Sequence, residues 1–314
     1  MYDVHSHWIP PEVLDWLKTN GAIEAVWEQK APDKEPFLTV GGKWSFELKR
    51  AFYDLDVYLA DQAASGIEHT LVSPVPQLFL YEAEPDMTNE LAAIYNEALV
   101  RLVDAHRDRL SALATLSLND PDAACDQLER AMAQGLKGAI IGPGVGDVAL
   151  SDERFATLWA TADRLGAIVF IHPLLNTDKR IQKLMMPNLI GVPWETTICA
   201  LDLILSGNLD RYPHARILLA HGGGFLPYQL GRLNKGYEVW PQVKARLDDE
   251  PAAYIRRFWY DSVLWSPEAL QLLCSTAGKE RVLPGSDYPF DLKAWPPVTS
   301  EEASVRDWLG LTNA

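Results

Sequence analysis

Short runs rich in apolar and β-branched residues alternate along almost the whole chain with longer stretches whose apolar positions recur every three to four residues. That alternation predicts a parallel sheet wrapped by helices. Eight strands are expected, over Tyr2–His7, His69–Pro74, Leu110–Leu116, Gly138–Ile141, Ile168–His172, Ile217–His221, Phe258–Asp261 and Val282–Asp287. Helices are expected over Thr88–His106 with Thr88 or Asn89 as cap, Asp120–Gln134, Asp152–Leu165, Glu195–Asn208, Leu226–Val239, and Pro267–Ala277 after a Ser266 cap. Eight strands with intervening helices exceed the usual five to seven of a doubly wound sheet, so the fold class is α/β, a (β/α)8 TIM barrel forming one domain over residues 1–314. Residues 8–58, rich in Pro and Gly and weakly periodic, are expected to be a small insertion after strand one. The tail from Lys293, with a helical stretch over Ser300–Leu309, should pack on the outside of the barrel and close it.

Composition narrows the partners. At 48% apolar and 23% charged the chain is neither disordered nor fibrous, and a formal charge of −15 repels phosphate backbones and anionic lipid. No nucleic acid or membrane partner is expected, and an anionic substrate must be held by a local cluster of positive charge. Cys125, Cys199 and Cys274 are too few and too scattered for a disulfide framework or a thiolate zinc cluster, which suits a reducing cytosol. Charge and imidazole in Met1-Tyr2-Asp3-Val4-His5 stand where a signal peptide needs an apolar core, and no run is expected to approach the roughly 18 apolar residues of a membrane span. A soluble, unprocessed, cytoplasmic protein is the expectation.

Asp3, His5 and His7 alternate within the first strand, so all three side chains share one face, which in a barrel is the interior. Imidazoles in a core need a polar partner, and histidine is the commonest metal ligand; a hydrogen-bonded pair would also serve. Three further residues with donor atoms close strands in the same sense: His172, His221 and Asp287. In a barrel these positions converge on the mouth where active sites sit. His5, His7, His172 and Asp287 make a donor set for one first-row divalent cation, Zn2+ first and Mn2+ second. His221, followed by Gly222, Gly223 and Gly224, is placed as a base that could take a proton from water activated by the metal. The lesser alternatives are that it is a further ligand, or that the glycines form only a turn. His69, His106 and His214 need no more than surface or capping roles. Lys137 precedes strand four rather than lying inside it, so one metal is expected and Lys137 reads as a surface charge.

With these residues in place the chain resembles the amidohydrolase superfamily, and within it the group typified by 2-amino-3-carboxymuconate-6-semialdehyde decarboxylase. The resemblance rests on Asp3-Val4-His5-Ser6-His7, Ile171-His172-Pro173, Pro193-Trp194-Glu195-Thr196-Thr197, Ile204-Leu205-Ser206-Gly207, His221-Gly222-Gly223-Gly224, Leu230-Gly231-Arg232 and Gly285-Ser286-Asp287-Tyr288-Pro289-Phe290, running to about residue 292. It implies a distorted barrel, one Zn2+ on His5, His7, His172 and Asp287, and His221 as acid/base. It also implies a homodimer in which Arg232 reaches the neighbouring subunit's site to bind substrate carboxylate. The group's aromatic residue after the histidine-proline pair is replaced in His172-Pro173-Leu174-Leu175, and its arginine in the first insertion has no counterpart. Phe46 or Glu47 falls near that position, with Lys49 and Arg50 close by.

The expected activity is therefore a carboxy-lyase, decarboxylating an unsaturated or aromatic carboxylate other than the muconate semialdehyde. That small-molecule substrate would be held by metal, Arg232 and Arg50, with Trp194 either walling the pocket or packing in the core. Asp287 would serve as ligand and as partner to His221. The alternative on the same residues is a metal-dependent hydrolase of an amide or lactone, with Asp287 protonating the leaving group. A non-catalytic binding protein would predict a damaged donor set, and the set is intact.

Overall fold

The computed structural model describes residues 1–42, 44–298 and 302–311; the expected helix start at Ser300, the Trp44 side chain and residues 312–314 lie outside that description. Strand β1 (Tyr2–His7) is buried at every position, because a parallel strand in a barrel is covered by the interior on one face and by helices on the other. It pairs in parallel with β2 (His69–Ser73), and β2 with β3 (Leu110–Ala112). After Leu113 the third strand resumes as Ala114–Thr115 and pairs with β4 (Gly138–Ile141). Parallel pairing continues through β5 (Ile168–Ile171), β6 (Arg216–Leu219), β7 (Trp259–Asp261) and β8 (Val282–Leu283). Three hydrogen bonds then return the chain to β1: Val4 N to Pro284 O at 2.8 Å, Asp287 N to His5 O at 2.8 Å, and His7 N to Tyr288 O at 2.8 Å. The expected barrel is the fold. β8 stops earlier than expected because Pro284 has no amide hydrogen and Asp287 turns at a φ of 61°.

Helices Leu226–Val239 and Pro267–Ala277 match the sequence reading, and the Ser266 hydroxyl caps the latter by accepting from Ala269 N at 3.2 Å. The helix expected from Thr88 starts at Pro85, since a proline at the first position pre-sets the backbone; Thr88 instead donates to Pro85 O. The stretch from Asp152 divides into a short 3-10 turn and the helix Ala156–Leu165. The helix expected over Glu195–Asn208 runs over Val192–Leu205 after a π-helical turn at Pro187–Gly191. Together Pro187–Leu205 are long and apolar enough to cross a membrane by length and composition, which corrects the expectation that no run is; Cys199, Ala200, Leu203 and Ile204 of this helix are buried in the barrel's core.

Between β1 and β2 lie a helix (Pro11–Thr19), a three-stranded antiparallel sheet (Ala25–Glu28, Phe37–Val40, Trp44–Glu47), a 3-10 turn (Arg50–Phe52) and a helix (Leu55–Ala64) capped by Asp54. These elements are too short to show periodicity, yet they bury Trp16, Leu17, Leu38, Phe46 and Phe52 against the barrel. At the opposite end, Trp308 of the last helix (Glu302–Leu309) lies 5.7 Å from Trp259, and Arg216 donates to Trp308 O at 2.5 Å. The three cysteines are free thiols.

Candidate metal centre and active site

His5 and His7 leave β1 on its interior face, and His172 follows β5 directly. Asp287 lies in the turn after β8. One donor atom from each of His5, His7, His172 and Asp287 falls within 4.8 Å of the others, and all four residues are buried. His5 Nε2 is 3.1 Å from His7 Nε2, and each of these nitrogens is 3.2 Å from Asp287 Oδ1. Separations of about 3 Å are those of donors sharing one cation at bond lengths near 2.0–2.2 Å. His172 Nε2 and Asp287 Oδ1 are buried without a hydrogen-bond partner, which a cation among them would correct. The donor set fits a divalent ion.

The far side of each imidazole is fixed by protein. His7 Nδ1 faces Pro74 O at 3.0 Å, and His172 Nδ1 faces Pro173 O at 2.9 Å, so both rings carry hydrogen on Nδ1 and present a lone pair at Nε2. His5 Nδ1 donates to Asp261 Oδ2 at 2.6 Å. Asp261 also accepts from His221 N and Gly222 N, both at 2.9 Å, and from Val263 N at 3.0 Å. This aspartate, closing β7, went unremarked in the sequence although an acid ending an apolar strand is the signal that pointed to Asp287. Asp3 shares the interior face but is not a ligand: it accepts from His5 N at 3.1 Å and from Ser286 Oγ at 2.5 Å.

His221 stands beside the cluster with Nε2 3.7 Å from Asp287 Oδ2, while its Nδ1 is buried without a partner. Both His221 and Asp287 have positive φ, 54° and 61°, a costly conformation for residues with side chains and one that recurs at functional sites. Glycines make the turn possible. A Cβ on Gly224 would lie 2.1 Å from Pro193 O, and one on Gly285 would press on both His5 and Asp261.

Burial dominates the electrostatics. It pushes His7 down and, with the neighbouring imidazoles, holds His172 well below the usual range. At His5 burial also opposes charge, but Asp287 and Asp261 together overcome it and lift the group to about 10. The same contacts outweigh burial at Asp287 and Asp261, which stay below the ordinary carboxylate value. Asp3 is raised by burial to about 7, an effect that its hydrogen bonds from Ser286 and His5 and the His5 charge offset only in part. Two anionic carboxylates around these imidazoles are a cluster built to share positive charge.

The remaining sequence candidates lie elsewhere. Arg50 is ion-paired with Asp54, its side chain 60% exposed, in a surface cleft with Tyr288 and Lys293. It is not brought to the cluster. Glu47 pairs with Lys34 at 3.4 Å, whereas Phe46 packs on Phe290, which lies 5.3 Å from His7. Arg232 is exposed on the helix Leu226–Val239, away from its own chain's cluster. Trp194 is half-buried beneath the Arg180 guanidinium. His69 is buried rather than superficial, its Nε2 2.9 Å from Ser111 Oγ, and Lys137 is half-buried rather than a free surface charge.

A family model described as amidohydrolase matches residues 2–313. The chain belongs to the amidohydrolase family. Within it, the chain is 29% identical to a 2-amino-3-carboxymuconate-6-semialdehyde decarboxylase of Dictyostelium discoideum, over 92% of this chain and 82% of that one. It is 30% identical to a 6-methylsalicylic acid decarboxylase of Penicillium expansum, over 91% and 84%. The solved structure of a dihydroxybenzoic acid decarboxylase from Polaromonas, with bound manganese and the inhibitor 2-nitroresorcinol, shares the fold with a TM-score of 0.79 at 20% identity, covering 100% of this chain and 97% of that one. The protein is an enzyme of a family whose relatives here are decarboxylases.

Proposed function

We propose that the protein is a metal-dependent carboxy-lyase that decarboxylates an aromatic or unsaturated carboxylate, with Zn2+ at His5, His7, His172 and Asp287, Mn2+ being the other ion the donor set suits. The observation that carries this reading is the buried, converging donor set with the His221 Nε2 edge beside it. The relatives' decarboxylase activities support it. When bound, the metal supplies a Lewis acid that holds the carboxylate or an adjacent oxygen and offsets negative charge on the substrate.

The protein's own part is proton transfer and positioning. The bond between ring carbon and carboxyl carbon breaks, CO2 departs, and the electron pair left on carbon takes a proton from His221 Nε2, which solvent later restores. Asp287 Oδ2, 3.7 Å away, keeps that edge of the imidazole turned toward the substrate. Asp261 holds the His221 backbone and the His5 ring in one frame, so acid and donors keep a fixed separation. Phe46 and Phe290 form an apolar wall beside His7 that excludes water from the reacting carbon.

Homodimerisation is part of the proposal. Ile198 and Tyr228, on two packed helices, are 49% and 78% exposed, and Arg232 stands one helical turn beyond Tyr228 on the same face. A second copy covering this face would carry Arg232 toward a neighbouring site.

The test is mass spectrometry of metal-loaded protein with a panel of aromatic and unsaturated carboxylates, amides and lactones. Loss of CO2 from a carboxylate, abolished in His221→Ala with metal content unchanged, is the expected result. Gain of water by an amide or lactone with no CO2 released would overturn the proposal in favour of a hydrolase.

A further inference from the structure

A cavity of about 820 Å³ is lined mainly by the segments that follow β2 and β5, with none of the four candidate donors on its lining. Its place follows from the chain: Gln77 comes three residues after Pro74, whose carbonyl faces His7, and Leu174 comes two residues after His172. One wall is the stacked pair Phe79 and Tyr81, with ring centroids 5.4 Å apart, held because the Tyr81 hydroxyl accepts from Gly142 N at 3.2 Å. Leu174 also lines the cavity and lies close to the Tyr81 ring: a Cβ on Gly142 would lie 3.0 Å from that ring and 3.3 Å from Leu174. Phe79, Tyr81 and Leu174 give this part of the lining an apolar surface on which a ring can pack.

Two features of this cavity are not apolar. Gln77 lines it and is only 8% exposed, yet its Oε1 is buried without a hydrogen-bond partner, and among the described residues its carboxamide makes no hydrogen bond. A buried amide without a partner is costly unless something the site binds supplies one. The charged residues on the lining are all carboxylates, Glu24 and Glu84 among them at the exposed rim; among the described residues no lysine, arginine or histidine lines it.

We propose that Gln77 is a specificity-determining residue that pairs with a hydroxyl or amino substituent of the substrate, and that the cavity admits carboxylates whose far end bears no second negative charge. This deepens the decarboxylase reading and rests on it for the orientation of the substrate. The carboxylate to be lost faces the metal, the ring packs against the apolar side chains of Phe79, Tyr81 and Leu174, and a neutral polar substituent meets the Gln77 carboxamide. A dicarboxylate would direct its second anion toward Glu24 and Glu84 with no cation to receive it.

Calorimetric titration of the metal-loaded His221→Ala protein with benzoate, the three hydroxybenzoates and the three benzenedicarboxylates tests this without turnover. One hydroxybenzoate should bind about tenfold more tightly than benzoate, the worth of one good hydrogen bond. Gln77→Leu, or Gln77→Met as a second apolar variant, should erase that gain while leaving benzoate within about twofold. The dicarboxylates should bind at least roughly tenfold more weakly than benzoate, and Glu24→Gln with Glu84→Gln should recover severalfold of that loss. Equal weakening of benzoate and hydroxybenzoates by both Gln77 variants would show a purely structural role and overturn the assignment, as would dicarboxylates bound as well as benzoate or no binding of any benzoate. The two readings fail separately: release of CO2 by the wild-type enzyme without this selectivity removes only the present inference, and the selectivity without CO2 release removes only the decarboxylase reading.

Discussion

Replacing Asp261 by Asn exchanges one carboxylate oxygen for an NH2 group and should disable the metal centre. The wild-type carboxylate is fully buried and accepts from four donors: His5 Nδ1 and His221 N at Oδ2, Gly222 N and Val263 N at Oδ1. An asparagine of the same shape has one accepting oxygen and one donating nitrogen. If its oxygen faces His5 and His221, the nitrogen confronts two backbone N–H groups that have no other acceptor. In the opposite orientation the nitrogen faces His5, which then accepts at Nδ1 and carries its hydrogen on Nε2, the atom aimed at the metal. The first orientation loses two hydrogen bonds to a charged group and the second loses one and inverts another, at about 1.5–3 kcal/mol for each bond lost, or roughly 2–6 kcal/mol in all. That is a large fraction of the roughly 5–15 kcal/mol by which domains are stable. Metal affinity should fall by about 10–100-fold, the usual penalty for removing a residue that orients a ligand. Competition against a chromophoric chelator measures the affinity, and urea unfolding of the metal-free protein measures the stability. Affinity within about twofold of wild type, together with an unchanged urea midpoint, would refute the role given to Asp261.

Three further outcomes are expected. Gly224→Ala places a Cβ 2.1 Å from Pro193 O at a φ of 63°, so the urea midpoint should drop by the equivalent of at least about 2 kcal/mol; a neutral result would show that the turn relaxes at little cost. Arg232→Ala should keep its metal but lose kcat/KM, and mixing it with His172→Ala protein should restore about a quarter of wild-type activity if Arg232 serves the partner's site, whereas no restoration would place its role within its own chain. His69 is held below its ordinary 6.5 chiefly by burial, so the unfolded chain binds the proton more readily. Its contribution is therefore present above that value and lost as pH falls below it, and the stability difference between wild type and His69→Gln should shrink from about pH 7.5 to about pH 5.5; a constant difference would count against it.

Much of the site was legible because its ligands interrupt apolar strands. His5 and His7 obey the two-residue period of a strand, which puts them on one face whatever the rest of the chain does. His172 and Asp287 each close an apolar run, and the barrel inferred from eight strands brings such ends together. Helices with a side-chain cap, such as those after Asp120 and Ser266, were also legible, since capping is a local contact between neighbours in the chain. The short elements between β1 and β2 were not, because nine residues of helix or four of strand carry too few periods and are held by burial against the barrel instead.

Proximity in the sequence misjudged what only packing decides. Arg50 lies in the insertion that borders the site, yet its neighbour Asp54, one helical turn ahead, draws the guanidinium outward, while Phe46 turns in to meet Phe290. Asp261 and His5 are 256 residues apart, and nothing local says that one will orient the other. The sequence by itself determined which residues could ligate and on which face of each strand they stand, because those properties depend on side-chain chemistry and a backbone period. Tertiary structure alone decided which nitrogen each imidazole presents, which acid is ligand and which is support, and that among the described residues the charged side chains lining the cavity after β2 and β5 are all carboxylates, because these depend on distances between strands and loops remote in the chain.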